Sequence, residues 1–223
     1  MWKTQTCPRP ISNGMKYHNG KLTKKKKPKV HRRKWGRPVG SARRVFIGIR
    51  VNGDTRDALA ELQDGLPPIP MRIIPKRDLH LTLTPPWMEK DVPGAMKRMR
   101  NALERPFSFP LKFKYLEYGP RRDDPRLIWV TCHASKRLVE LKERLLKAFG
   151  KKEKEHIPFI PHVTIARLIG SYGNDWKDHH IGKNVPITME VEAIELLQSP
   201  HEGGIGYKTL KRVRLHREEE TPR

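Results

Sequence analysis

Leu79-His80-Leu81-Thr82-Leu83 alternates apolar and polar positions, and the alternation returns at Pro161-His162-Val163-Thr164-Ile165. A period of two predicts a strand in each place, because successive side chains on a strand point to opposite faces. His80 and Thr82 then share one face while Leu81 and Leu83 fill the other. His162 and Thr164 repeat this against Val163 and Ile165. Each copy anchors itself in a core and offers an imidazole and a hydroxyl to the opposite side. An apolar run precedes each copy, Val45-Phe46-Ile47-Gly48-Ile49 and Leu127-Ile128-Trp129-Val130. Phe46 to His80 and Ile128 to His162 are both 34 positions, with a helical pattern between run and motif. The chain thus contains an internal repeat of strand, helix and His-x-Thr strand.

The remaining pattern fills in around this repeat. Residues 44–51 read as a strand. Asn52-Gly53-Asp54 turns the chain, and Asp54 or Thr55 caps a helix with Ala58, Leu59 and Leu62 inward, ending at Gly65. Residues 71–74 approach the first motif, and Pro85-Pro86 closes its strand. Residues 92–103 read as a helix opening at Pro93. Phe107, Phe109, Leu111, Phe113 and Tyr115 alternate as a strand. After a charged turn at 119–125, residues 126–132 form the first strand of the second half. Ser135 caps a helix running to Phe149, with Leu138, Leu141, Leu145 and Ala148 on its apolar face and Gly150 at its end. Residues 171–184 are irregular. Residues 186–198 and 207–216 read as closing strands around a Gly203-Gly204 turn.

Charge divides the chain unevenly. Residues 1–44 hold nine Lys and six Arg and no Asp or Glu, giving +15 of the formal +23; the rest holds 32 basic and 24 acidic residues, giving +8. The domain expectation is a basic disordered tail over 1–42, one domain over 43–217 and a polar end over 218–223. The domain has two lobes, about 43–118 plus the closing strands and about 126–198. Lys24, Lys25, Lys26 and Lys27, then Arg32 and Arg33, are the densest cluster. It suits a polyanion, nucleic acid first, and also resembles a nuclear import signal. No uncharged apolar run approaches the roughly 20 residues that span a membrane, and the N-terminus lacks an apolar signal core. Cys7 and Cys132 offer no disulfide framework. These features point to a cytoplasmic protein, nuclear as the alternative in a eukaryote, with no membrane partner and a monomeric state.

Two imidazoles facing one site suit acid–base chemistry near neutral pH. Thr82 and Thr164 can donate hydroxyl hydrogen bonds to an anion held between them, and Arg167 can add a cation. Zinc is the competing use of paired histidines, with His156, His162, His179, His180 and His201 available. Yet the chain has no compact set such as His-Glu-x-x-His, and the reading takes no metal and no cofactor. The near-symmetry of the repeat leaves open which histidine is acid and which is base.

With these motifs and their spacing, residues 43–216 resemble the 2H phosphoesterase superfamily, and within it the LigT-like RNA 2′,3′-cyclic phosphodiesterases. Arg44-Val45-Phe46-Ile47-Gly48-Ile49, Asp78-Leu79-His80-Leu81-Thr82-Leu83 and Pro161-His162-Val163-Thr164-Ile165-Ala166-Arg167 carry the resemblance, with 194–199 and 206–210 in support. The chain departs from the common form in its long basic tail, and in Pro85-Pro86-Trp87 where many relatives have Phe-Leu-Gly. The resemblance implies a two-lobed α+β fold, with antiparallel sheets backed by helices and a pseudo-twofold axis relating the motifs across a cleft. It implies hydrolysis of RNA 2′,3′-cyclic phosphate ends to 2′-phosphates, with His80 donating a proton to the 3′ oxygen and His162 accepting one from water. It also implies reverse joining through a 2′–5′ linkage. RNA is the expected partner, tRNA among the candidates. A noncatalytic RNA-binding protein working through its tail and a 2H enzyme for small cyclic nucleotides are the alternatives.

Overall fold

The computed structural model describes residues 17–18, 21–22, 41–104, 107–121, 123–152, 158–169, 175–199 and 206–217. The chain divides into two units, Met1–Pro38 and Val39–Arg223. In the first, β1 (Tyr17–His18) and β2 (Lys21–Leu22) form a short antiparallel ladder. The basic cluster Lys24–Lys27, Arg32 and Arg33 lies outside the described residues, as do Cys7, His156 and His201.

The second unit runs β3 (Arg43–Arg50), α1 (Gly53–Asp64), β4 (Met71–Ile73), β5 (His80–Thr82), β6 (Trp87–Glu89), α2 (Val92–Ala102) and β7 (Phe109–Gly119). It continues β8 (Leu127–Cys132), α3 (Lys136–Ala148), β9 (His162–Leu168), β10 (Lys183–Asn184), β11 (Thr188–Val191), β12 (Ala193–Gln198) and β13 (Lys208–Arg214). The helices start where the chain can satisfy their first amides. Ser135 Oγ accepts from the Leu138 N–H of α3 at 3.3 Å, and Asp91 accepts from the Gly94 N–H of α2 at 2.9 Å. α1 starts two or three residues earlier than expected, with Asn52 rather than Asp54 or Thr55 at its N-cap and no side-chain bond.

The fold is α+β, and its strands are antiparallel. The two sheets expected from the repeat are one continuous sheet in the order β10-β7-β8-β9-β5-β3-β12-β13, with β11 beside β7, β4 beside β9 and β6 beside β3. The motif strands meet at its centre, where Leu81 pairs with Val163. Outward from this pair, β9-β8-β7 on one side mirrors β5-β3-β12 on the other, which is the pseudo-twofold relation.

Two strands fall in other halves than chain order suggested. β7, expected in the first lobe, pairs with β8, because the 120–126 turn folds them as a hairpin. The single closing strand expected over 186–198 breaks at Glu192: β11 adds to β7, and β12 crosses to pair with β3. The alternation in β7 also slips. A register shift between Phe113 and Leu116 re-phases the strand, so Leu116 is buried while Tyr115 is half exposed, as is Phe107 before the strand.

One face of the sheet is the core. Ile47, Ile49, Leu81, Leu83, Ile128, Val130, Val163 and Ile165 are all buried there with Leu59 of α1 and Leu138 and Leu145 of α3. Each such aliphatic side chain contributes about 1.5–3 kcal/mol on burial, so this face fixes the register of both motif strands. No helix among the described residues is long and apolar enough to cross a membrane.

Candidate active site

The core side of the sheet decides what the other side presents. Leu81 and Val163 are fully buried opposite one another. Antiparallel pairing then sets His80 beside Thr164, and Thr82 beside His162, on the opposite face. All four side chains are half-buried. The two histidines are diagonal neighbours across adjacent strands, a relation of about 7–8 Å. The register thus places a hydroxyl-bearing residue opposite each histidine.

Each histidine is oriented in the same way. His80 Nδ1–H donates to the Asp78 carbonyl at 2.6 Å, and His162 Nδ1–H donates to the Ile160 carbonyl at 2.8 Å. A carbonyl only accepts, so both neutral rings carry their proton on Nδ1 and keep the Nε2 lone pair for the cleft. Aromatic rings hold the imidazoles in place. Trp129 lies 4.2 Å from His162, and Phe46 and Tyr207 lie 4.9 and 4.8 Å from His80. Burial pushes the His80 imidazolium down to about 4, and the Arg50 and Arg167 guanidiniums add to this against the raising effect of the Asp78 carbonyl. Burial also lowers His162, with Arg167 again contributing. Both rings are therefore neutral at pH 7 in the free protein.

Arg167 reaches this face through a bulge. In a regular strand, residue 167 would share the core face with Val163 and Ile165. The β8–β9 register shifts instead, so that Trp129 pairs with Thr164 but Ile128 with Ala166, leaving Ile165 as the extra residue. The parity reverses, Ala166 joins the core, and Arg167 turns to the side of the histidines.

A family model described as the 2′-5′ RNA ligase superfamily matches residues 59–202. The chain belongs to the 2′-5′ RNA ligase superfamily, the 2H phosphoesterases. Among curated members, it is 30% identical over 173 residues to an RNA 2′,3′-cyclic phosphodiesterase of Aeropyrum pernix, covering 70% of this chain and 94% of that one. It is 25% identical over 129 residues to a protein of the same name from Methanocaldococcus jannaschii, covering 56% and 71%. Its fold matches TT0787 of Thermus thermophilus with a TM-score of 0.65 at 21% identity, over 79% of this chain and all of that one. It matches E. coli LigT in its apo form with a TM-score of 0.60 at 20% identity, over 79% and 99%.

Within this superfamily member, several residues that shape the site were not singled out by sequence. Gly48 pairs with Thr82, and a Cβ there would come within 2.6 Å of the Leu81 carbonyl oxygen. A glycine inside a strand is the signal that marks it. Gly119 makes room for the Trp129 indole, which a Cβ would meet at 2.2 Å. Asp78, Arg50 and Tyr207 brace His80 and have no local signature. Beside His162 and Thr82, a cleft of about 460 Å³ is lined by Pro85, Trp129, Phe159, Lys142 and Lys152 among others. Lys142 Nζ sits 4.2 Å from the Phe159 ring. Among the described residues, no three His, Cys, Asp or Glu side chains gather as a metal set.

Proposed function

We propose that the protein hydrolyses RNA 2′,3′-cyclic phosphate ends to 2′-phosphomonoesters, using His80 and His162 as its acid–base pair and no metal. The observation that carries this is the pairing of two His-x-Thr strands about Leu81 and Val163, which offers two Nε2 atoms and two hydroxyls to one anion. The names of the curated relatives support the substrate class. In this reaction water adds to phosphorus while the P–O3′ bond breaks. His162 takes the proton from water, and His80 gives its proton to O3′. Thr82 and Thr164 donate to the nonbridging oxygens, and Arg167 supplies a positive charge beside them. A 5′-hydroxyl in place of water would give a 2′–5′ linkage by the same proton transfers. The cleft beside His162 takes the terminal nucleoside. The test is a short RNA with a cyclic end, incubated with EDTA and analysed for the 2′-phosphate. RNA binding without turnover would favour a noncatalytic binder, and turnover of cyclic mononucleotides alone would favour the third class.

The electrostatics support the same division of labour. Burial disfavours both imidazoliums and Arg167 acts on both, while Arg50 acts on His80 alone, making the His80 imidazolium the stronger proton donor. His80 then takes up its proton as the phosphodiester anion arrives, since a nearby negative charge favours the imidazolium. The pH dependence follows. Below the lower free-protein pKa both rings are protonated and no base remains; above the higher one both are neutral and no acid remains. Both values lie under 6.5. The profile of kcat/KM is expected to be a bell centred below pH 6.5, with the kcat profile displaced upward by bound substrate. A kcat/KM optimum at pH 8 would contradict the acid–base pair.

The basic tail carries a separate expectation. A chain beginning at Ser41 should still hydrolyse a cyclic-ended dinucleotide. On long RNA it should bind more weakly at low salt and with a flatter salt dependence. Every phosphate of a single strand that the shortened chain no longer neutralises takes about 0.7 off the log–log slope. Equal slopes with and without residues 1–40 would assign the tail to something other than RNA.

A further inference from the structure

The two halves of the site are related by near-symmetry, yet their supports are not. Two residues before each histidine the chain carries Asp78 in one half and Ile160 in the other. Both give a backbone carbonyl to Nδ1 of their histidine. Only Asp78 also has a carboxylate, and it is 1% exposed. Its Oδ2 accepts from the Gly206 N–H at 2.6 Å and its Oδ1 from the Tyr207 N–H at 3.2 Å. Ile160, by contrast, is 42% exposed. The ladder position opposite each histidine differs in the same sense: Arg50 faces His80, and Thr131 faces His162. Arg50 donates to the Tyr207 carbonyl at 2.7 Å and through Nε to Glu195 at 3.0 Å, and Glu195 accepts from Thr209 Oγ1 at 2.8 Å. Tyr207 is therefore gripped on its N–H and its carbonyl, and its ring packs edge-on against both His80 and Phe46.

We propose that Asp78 is a positioning residue for His80: its carboxylate clamps Gly206–Tyr207 and seats the Tyr207 ring on the imidazole, which makes the two histidines inequivalent. One residue thus joins the motif strand to the closing hairpin. Its carbonyl fixes the His80 tautomer, and its carboxylate decides how much water reaches the ring. Among the described residues no such strap reaches His162, whose ring packs against Trp129. Among the described residues, the charged and titratable groups around His80 are Arg50 on β3, His162 and Arg167 on β9, Asp78 before its own strand, Tyr207 before β13, and Glu195 on β12 acting through Arg50. Removing the clamp through Tyr207 keeps every one of these charges and lets water in from that side, whereas removing it through Asp78 also deletes a negative charge that favours the imidazolium and so works against the rise. Dehydration is the main reason the imidazolium of His80 is disfavoured, so rehydration raises its titration point toward 6.5.

The inference rests on His80 and His162 as the acid–base pair, but its test reads the histidines without substrate. Asp78→Ala, Asp78→Asn, Tyr207→Ala and Tyr207→Phe are compared with the parent chain by NMR titration of both imidazoles. The backbone carbonyl at position 78 survives in every variant, so the tautomer is kept and the clamp alone is probed. Tyr207→Ala should move His80 up by about one pH unit or more while His162 stays, and Asp78→Ala should move it up by less, because the lost carboxylate charge opposes the rehydration. Asp78→Asn, which keeps one accepting oxygen, should move it less, and Tyr207→Phe, which keeps the ring, should not move it. The acid limb of kcat/KM against pH should follow His80 upward. An unmoved His80 in Tyr207→Ala, which changes no charge, overturns the proposal. So does an equal shift of both histidines, which would mean general loosening. If Asp78→Ala does not fold, the two Tyr207 variants decide the matter. Absence of cyclic phosphate hydrolysis in the parent chain, with the His80 shift intact, would sink the proposed function and leave the clamp standing.

Discussion

His80→Ala and His162→Ala are each expected to lose at least about a hundredfold in turnover on a cyclic-ended RNA, the lower bound for a positioned general acid or base. Neither imidazole has a substitute on its face of the sheet. His80 sits against Phe46, Tyr207 and Arg50, and His162 against Trp129; none of these is an imidazole or a carboxylate. The two losses should not add in the double variant, because a site missing either proton transfer has already lost the concerted path. Thr82→Val should cost less than either, as it deletes one hydrogen bond to the nonbridging oxygens. Melting temperatures should stay near the parent's, since both rings are half-buried on the cleft side and not in the core. Adding EDTA should change nothing. Activity abolished by EDTA and restored by zinc would overturn the metal-free reading, and a His162→Ala protein with near-parent turnover would remove the acid–base pair.

Gly48→Ala is expected to damage both stability and chemistry, although residue 48 touches no substrate in the proposed reaction. The added Cβ meets a backbone oxygen, that of Leu81, at 2.6 Å. No side-chain rotation can relieve this, so β3 and β5 must separate. Overpacking of this kind costs about 1–3 kcal/mol, or roughly 2–12 °C in Tm for a chain of this size. The strand that moves is the one carrying His80 and Thr82. A displacement near 1 Å of an acid–base group can cost about a hundredfold, so kcat should fall well beyond what the lost stability explains. Measuring kcat at 15 °C, where the variant remains folded, separates the two effects. A Gly48→Ala protein with the parent's Tm and kcat would show that the strands do not approach as closely as they do here.

The sequence by itself determined the parts of this protein that follow from local spacing. Alternation over 79–83 and 161–165 placed both motif strands and told the cleft face from the core face, because the strand period is two and Leu81 and Val163 had to be buried. Ser135 and Gly150 bounded α3 for reasons confined to one turn of chain. The repeat implied that the two histidines are partners, and their equal distance from an apolar run was legible without any fold. At the ladder that spacing slips by one residue, since Thr82 faces Gly48 and Thr164 faces Trp129.

Only the tertiary structure decided what depends on register and on distant pairing. No local pattern tells that one extra residue at Ile165 reverses parity and brings Arg167 round to the histidines; the bulge exists because β8 and β9 pair on both sides of it. The break at Glu192 that sends β11 and β12 to opposite halves is set by which edges remain open, namely β7 and β3. The support of His80 joins Asp78 to Gly206 and Tyr207, 128 and 129 positions away. A repeat read along the chain makes the two histidines alike. The folded chain makes them different, because the residues that seal one of them come from a hairpin that has no counterpart beside the other among the described residues.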